Sequence, residues 1–374
     1  MRKAAGILVG LTLLSGALTP AGAGPTQGGF TSDNVEYVTH VPFEIGTATG
    51  ARVIGKYLYV TSWKSFSIYD VSDPMNPTLV GRPVPFGFKF ENEDVATNGK
   101  IMLFSEQLPQ NILHVWDVED KSNPVQIAEL PGGGGHTQSC VFECKYAYSS
   151  TGTIVDLRDP TKPEIVGNWG EGMPSQSAHD VNEVGPGLVL TSSNPIMLLD
   201  ARKDPAKPTL LGVGQDERVT GGIHSNQWPN DAKDSMFLMS SESNATARCT
   251  GGNGAFMTWS ANNYQKTGQF KLLDIYQLEN GTYQDGAPAV NGLGCSAHWF
   301  QEHPDYRNGG LVALGSYEHG TRFVDISPKG KVSLKGFFVP AAGSTSAAYW
   351  LNDEIVYAVD YSRGIDVLRY LDKP

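Results

Sequence analysis

The fold is decided by Ser67-Ile-Tyr-Asp70-Val71, an apolar run ending in an aspartate between aliphatic residues, followed by the polar turn Ser72-Asp-Pro-Met-Asn-Pro77 and a second strand-like stretch, Thr78-Leu-Val-Gly-Arg-Pro-Val84. The pattern returns as His114-Val-Trp-Asp117-Val, Thr153-Ile-Val-Asp156-Leu, Met197-Leu-Leu-Asp200-Ala, Lys271-Leu-Leu-Asp274-Ile, Arg322-Phe-Val-Asp325-Ile and Gly364-Ile-Asp366-Val. Seven copies, with aspartates 39 to 74 residues apart, lie mostly near the spacing of a propeller blade, in which several strands repeat about an axis. In the first four units the aspartate strand leads to a turn closing on Pro77, Pro124, Pro163 or Pro208. The expected fold class is therefore all-β, a seven-bladed β-propeller.

Chain closure can be read from the ends. The seventh unit stops at Tyr370 without a fourth strand, while Val35-Glu-Tyr-Val-Thr-His-Val-Pro42 precedes the first unit and is patterned like the fourth strands. The N-terminal strand is expected to complete the last blade, removing the open sheet edges that invite aggregation. The aspartate strand with its Asp-Pro turn resembles the LVIVD-repeat proteins, secreted and of bacterial type. That resemblance implies the propeller fold and little about chemistry, which must be argued from a site.

Residues 1–23 read as an export signal: Arg2 and Lys3, an apolar run from Ala4 to Leu18, then Ala21-Gly22-Ala23. Residues 24–33 are expected to form a flexible segment, and 34–374 a single propeller domain. The apolar run is too short for a membrane span, and a secreted, extracellular, monomeric protein is expected. The formal charge of −11 becomes −13 once Arg2 and Lys3 are removed, which disfavours a nucleic-acid partner held through phosphates.

In a four-stranded antiparallel blade, the start of the innermost strand meets the turn between the second and third strands at one mouth of the channel. Four of the eight histidines recur at that strand start: Gly135-His136-Thr, Ala178-His179-Asp, Ile223-His224-Ser and Ala297-His298-Trp. Unit two offers Glu93 there, or Glu91 if the register moves by two, and units one and seven only Thr47 and Thr345. A single histidine so placed is usually a packing or hydrogen-bonding residue. Four in register point instead to a divalent transition metal, because neutral imidazole nitrogens ligate such ions while acids orient the rings. Iron or copper is favoured over zinc or manganese. The constellation, though not the sequence, resembles the four-histidine iron site inside the propeller of carotenoid cleavage oxygenases.

The second-to-third-strand turns add Glu106, Glu242, Glu318 with His319, and Asp360 with Arg363; Glu93, Glu242, Glu318 and His319 are the candidate catalytic groups. His303, His40 and His114 fall outside the cluster. Strand topology pairs Cys140 with Cys144 across a hairpin, and Cys249 with Cys295 between neighbouring blades. The second bridge would anchor an insertion, residues 243–270 of blade five, as a lid beside His298. Two functions compete: a metal-dependent enzyme, oxidative rather than hydrolytic, acting on a small molecule, and a non-catalytic surface-binding scaffold using Trp63, Tyr317 and Tyr361.

Overall fold

The computed structural model describes residues 29–43, 48–89, 93–243, 249, 252–278 and 293–372; the expected signal segment, Thr47 and Glu91 lie outside them. Seven antiparallel sheets follow one another along the chain. Blades one to four begin with the inner strands Ala48–Ile54, Ala96–Thr97, Gln138–Val141 and Val181–Gly185, and blades five to seven with Gly222–Gln227, Phe300–Glu302 and Thr345–Trp350. The last sheet is completed by Val35–Pro42, which runs antiparallel to Gly364–Tyr370 from Val35 opposite Tyr370 to Pro42 opposite Gly364. The ends of the chain thus close the ring within one sheet. Gly29–Thr31 adds a further strand to the outside of blade six, pairing with Val332–Pro340, so part of the segment expected to be flexible is ordered against the ring.

Each blade buries both faces against its neighbours, which is why middle strands such as Ile196–Asp200, Gly310–Gly315 and Ile355–Asp360 read as nearly continuous apolar runs. Tyr59, Phe66 and Ile68 of blade one pack with Met102, Phe104 and Trp116 of blade two, and the ring closes where Leu58 and Val60 meet Tyr357, Val359 and Val367. Seven clusters of buried apolar side chains lie between successive blades.

The repeated aspartate has a local physical role. In the first four blades it ends the third strand and its Oδ1 accepts the N–H two residues on: Asp70 from Ser72 at 2.9 Å, Asp117 from Glu119 at 2.9 Å, Asp156 from Arg158 at 3.0 Å and Asp200 from Arg202 at 3.0 Å. This side-chain turn reverses the chain into the outer strand. A β-bulge stands just before it in blades two to six, at Val115/Trp116, Ile154/Val155, Leu198/Leu199, Thr258/Trp259 and Phe323/Val324.

That frame corrects two of the seven repeats. In blade five the position belongs to Ser260, whose Oγ accepts the Asn262 N–H at 3.1 Å, and the third strand is Phe256–Ser260. Asp274 lies on the outer strand, Lys271–Tyr276, where it receives the Val332 N–H and Lys331 Nζ of blade six at 3.0 and 2.7 Å. In blade seven the bulge precedes Arg369; Asp366, three residues earlier, instead holds His40 and Arg363 at 2.9 and 2.8 Å.

The expected lid is corrected with them. The stretch 243–270 contains the third strand of blade five and the short helix Tyr264–Thr267, and the backbone at Gly268 and Phe270 bonds Val213 on the outer strand of blade four. Only the residues between Glu242 and Phe256 join the second and third strands. The disulfides pair Cys140 with Cys144 and Cys249 with Cys295. Among the described residues no helix is long and apolar enough to cross a membrane.

Candidate metal centre

Glu93, His136, His179 and His298 each lie just before the inner strand of their blade, and His224 is the third residue of Gly222–Gln227. Five consecutive blades therefore deliver one side chain each to the same level of the channel. Glu93 fills the place that Glu91 would have taken in the shifted register.

The Glu93 carboxylate is the centre of the group. Its Oε1 lies 3.0 Å from His136 Nε2 and 3.9 Å from His179 Nε2. Its Oε2 lies 3.3 Å from His224 Nε2, 3.0 Å from His298 Nε2 and 3.0 Å from the indole N–H of Trp299, which donates to it. The rings follow one another along the channel, with centroids 4.3 Å apart from His136 to His179 and 3.8 Å apart from His179 to His224 and from His224 to His298. His224 and His298 are 0% exposed, while His136 and His179 are 23% and 18% exposed.

Backbone bonds between blades hold the rings in place. Thr137 Oγ1 donates to the His179 carbonyl at 2.5 Å, and Ser225 Oγ to the His298 carbonyl at 3.0 Å. His298 Nδ1 is 2.8 Å from the Ser346 carbonyl, and His136 Nδ1 is 3.1 Å from Gln107 Oε1. His179 Nδ1 and His224 Nδ1 are buried without a hydrogen-bond partner, and the Nε2 atoms of His224 and His298 face Glu93.

Burial and mutual repulsion govern the charges. Burial pushes Glu93 up, but His298 and then the other imidazoles outweigh it and hold the carboxyl well below its usual range. Burial, reinforced by the neighbouring rings, drives His179 well below the ordinary imidazole value, and burial with His298 lowers His224. For His298 burial acts downward, yet Glu93 prevails and raises it. His179 and His224, held neutral beside an ionised carboxylate, are donors suited to a divalent cation. Two sets of donor atoms lie within 4.8 Å of one another: Glu93, His179 and His224, and His224, Glu242 and His298.

Above the rings a pocket of about 670 Å³ is lined by Trp63, Gln107, Glu242, Tyr317 and Tyr361 together with His136 and His179. Tyr317 lies beside His298, with centroids 4.6 Å apart, and donates its hydroxyl to Glu242 Oε1 at 2.5 Å. The other second-to-third-strand acids are engaged elsewhere. Glu318 accepts the N–H groups of Leu293 and Gly294 at 3.2 and 3.0 Å. His319 is buried in the same turn, and neither it nor Glu318 lines the pocket. Glu106 binds Lys89 and His114 at 2.6 and 3.0 Å, and Asp360 accepts the N–H groups of Ser362 and Arg363. His303 is buried below, between the Asp305 N–H and the Asp353 carbonyl.

Sequence reasoning missed Trp299, Gln107, Asp94 and Asp180. Asp94 and Asp180 line a cavity of about 240 Å³ beneath the rings with Arg52 and Tyr349. Burial raises both carboxyls, Asp180 well above its usual value with Asp94 adding to the effect. The available signal was adjacency, since Asp94, Asp180 and Trp299 each directly follow one of the five channel residues.

Fold and site together define a seven-bladed β-propeller with a histidine–glutamate cluster in its channel. The family model of the LVIVD repeat matches residues 45–83, so the β-propeller carries an LVIVD repeat in its first blade. No curated protein matches it. Among solved structures it is similar to the Cps50 (Swd1) β-propeller domain of Myceliophteria thermophila, at 13% identity over 89% of this chain and 99% of that one, with a TM-score of 0.59. It is also similar to the RRP9 WD40 repeats, at 11% identity over 91% and 98% with a TM-score of 0.60, and to U3-55K, at 10% over 90% and 98% with a TM-score of 0.60. At such identities the likeness concerns the fold alone.

Proposed function

We propose that the chain binds a divalent transition metal through His136, His179, His224 and His298 around Glu93, and acts as an exported metal-dependent oxidoreductase on a small molecule held in the pocket above. The tautomer of His298 carries the reading. A carbonyl only accepts, so the 2.8 Å contact with Ser346 O puts the proton on Nδ1. With Nδ1–H so engaged, Nε2 faces Glu93 Oε2 at 3.0 Å, and either a second proton, which the carboxylate favours, or a metal cation lies between the two atoms.

His136 repeats the arrangement, with Nδ1 against Gln107 Oε1 and Nε2 facing both Glu93 Oε1 and, at 2.8 Å, His179 Nε2. Protonating every facing ring would set several positive charges against one carboxylate, which burial opposes. A metal ion satisfies the facing lone pairs together. Imidazole-rich donor sets suit iron or copper, and the exposed edges of His136 and His179 leave room for an exogenous molecule.

The test is elemental analysis of the exported, disulfide-bonded chain and of four variants in which each histidine is replaced by Ala. Bound metal in the parent and loss of affinity in each variant are expected. Metal content indifferent to all four substitutions, or no uptake under any loading condition, would sink the reading. The two disulfides fit an oxidising compartment, and export with cleavage after Ala23 predicts a secreted chain beginning at Gly24; an uncleaved N-terminus in secreted protein would contradict it.

A further inference from the structure

We infer that the centre is dinuclear, with Glu93 bridging two metal ions and Glu242 completing the inner one. This rests on the metal-binding reading above and goes further, assigning each side chain to one of two positions.

The Glu93 carboxylate sorts the histidines. Oε1 faces His136 and His179, at 3.0 and 3.9 Å, and these two nitrogens are 2.8 Å from each other. Oε2 faces His224 and His298, at 3.3 and 3.0 Å. Ligand atoms about 2.1 Å from one ion, at angles between square and tetrahedral, lie roughly 3.0–3.4 Å apart. The 3.3 and 3.0 Å separations on the Oε2 side match those edges, and on the Oε1 side 3.0 Å matches while 2.8 and 3.9 Å bracket them.

Glu242 joins the Oε2 side only, its carboxylate lying within 4.8 Å of both His224 and His298. Its orientation is fixed by the Tyr317 hydroxyl at 2.5 Å. The inner position thus has His224, His298 and Glu242 as donors that meet, and the bridging Glu93 Oε2 beside the two imidazoles would be its fourth. The outer one has three: Glu93 Oε1, His136 and His179. A carboxylate bridging through its two oxygens sets two ions about 3.5–4 Å apart, the usual spacing of two-metal sites.

The two positions differ in access. His224 and His298 are fully buried, and Glu242 is the inner donor that reaches the pocket, whereas both outer imidazoles, His136 and His179, line it. Four protein ligands in a closed setting hold an ion structurally, and three ligands with an open face leave positions for an exogenous molecule. The outer ion would be the reactive one, with the inner ion fixing Glu93 and adding positive charge behind it.

The experiment loads the full exported chain, freed of metal by a chelator, with copper(II). It measures copper per chain by mass spectrometry and unpaired spins by electron paramagnetic resonance. Two ions per chain with a spin count well below the copper content are expected, because ions bridged at that distance couple. Glu242→Gln and His136→Ala should each reduce the content to one ion and restore the full spin count, with unchanged circular dichroism showing that both variants fold. One ion per chain at saturation, with full spin intensity, overturns the dinuclear assignment and leaves the metal-binding reading standing. Two uncoupled ions whose number ignores Glu242→Gln also overturn it, placing the second ion elsewhere. No bound copper removes the metal-binding reading itself.

Discussion

Replacing Trp299 with Phe tests whether Glu93 is a metal-oriented carboxylate. Trp299 is 6% exposed, packs in the core between blades seven and one, and lies edge-on to His224 at 5.2 Å. Its indole N–H is a fixed neutral donor to Glu93 Oε2, at 3.0 Å. Phe keeps an aromatic ring in that space and removes the donor. A hydrogen bond to a charged group contributes about 1.5–3 kcal/mol, and the smaller ring adds about 1 kcal/mol of lost packing, so metal-free Trp299→Phe should be less stable by roughly 2–4 kcal/mol in urea unfolding. A purely structural Glu93 would give the same loss. What distinguishes the two is metal affinity: loss of a group that orients a ligand costs about 10- to 100-fold, or roughly 1.4–2.7 kcal/mol. Competition titration against a chelator of known affinity measures it on the folded variant. If Trp299→Phe folds, loses the expected stability and binds metal as tightly as the parent, then Glu93 is not a ligand and the centre has been wrongly drawn.

Other consequences can be checked on stability. Removing residues 29–42 exposes the edge of Gly364–Tyr370 in blade seven and should lower the melting temperature by more than about 10 °C; a truncated chain melting with the parent would show that the N-terminal strand does not close the ring. In the chain-entropy treatment, Cys249–Cys295, with a sequence separation of 46, contributes about 4 kcal/mol and Cys140–Cys144, with a separation of 4, about 2 kcal/mol, so paired Ser substitutions should rank in that order by urea unfolding. Burial pushes the Asp360 carboxyl from 3.8 up to about 6. An acid raised on folding favours the native state only while protonated, so its contribution is fully present below about pH 4 and is lost as pH rises through 6. Asp360→Asn should therefore gain up to about 3 kcal/mol over the parent at neutral pH and converge with it near pH 4, a pattern that equal melting at both pH values would refute. Ser260→Asp supplies the carboxylate acceptor used in the first four blades and should change stability by less than about 0.5 kcal/mol, whereas Asp117→Ala, which removes one, should cost about 1 kcal/mol.

The ring was legible because its signature has a physical cause at each occurrence. An aspartate that captures the N–H two residues on must sit where the third strand ends, so finding Asp70, Asp117, Asp156 and Asp200 located those strands within their blades. The same logic explains the misplaced repeat in blade five. Ser260 performs the capture with a hydroxyl, and a search for aspartate passes over it to Asp274, an outer-strand residue with aliphatic neighbours. With Asp274 as the marker, the long interval before it reads as an insertion, although it holds a third strand and a rim helix. In blade seven Arg369 stands after the bulge, and Asp366 imitates the signature while forming an ion pair with Arg363 and a hydrogen bond with His40. The histidine register was legible for a different reason: it depends on the inner strands, whose starts are set by each blade's entry and not by the aspartate turn.

Trp299 and Gln107 could not be read in this way because their roles depend on side-chain direction across blades. The indole of Trp299 follows His298 in sequence yet serves Glu93, a residue of another blade. Thr137 and Ser225 show the same habit, each following a channel histidine and bonding the backbone carbonyl of the next one around the ring. In each case the side chain after the channel residue reaches a different blade. A site assembled like this is held between blades and not within any of them, so its geometry depends on ring closure. That couples two observations otherwise unrelated: the N-terminal strand paired with Gly364–Tyr370, and the Ser346 carbonyl of the same blade fixing the tautomer of His298. Opening the ring at blade seven would loosen the inner-strand backbone on which His298 depends, and the cluster should lose its donor geometry before the remaining blades unfold.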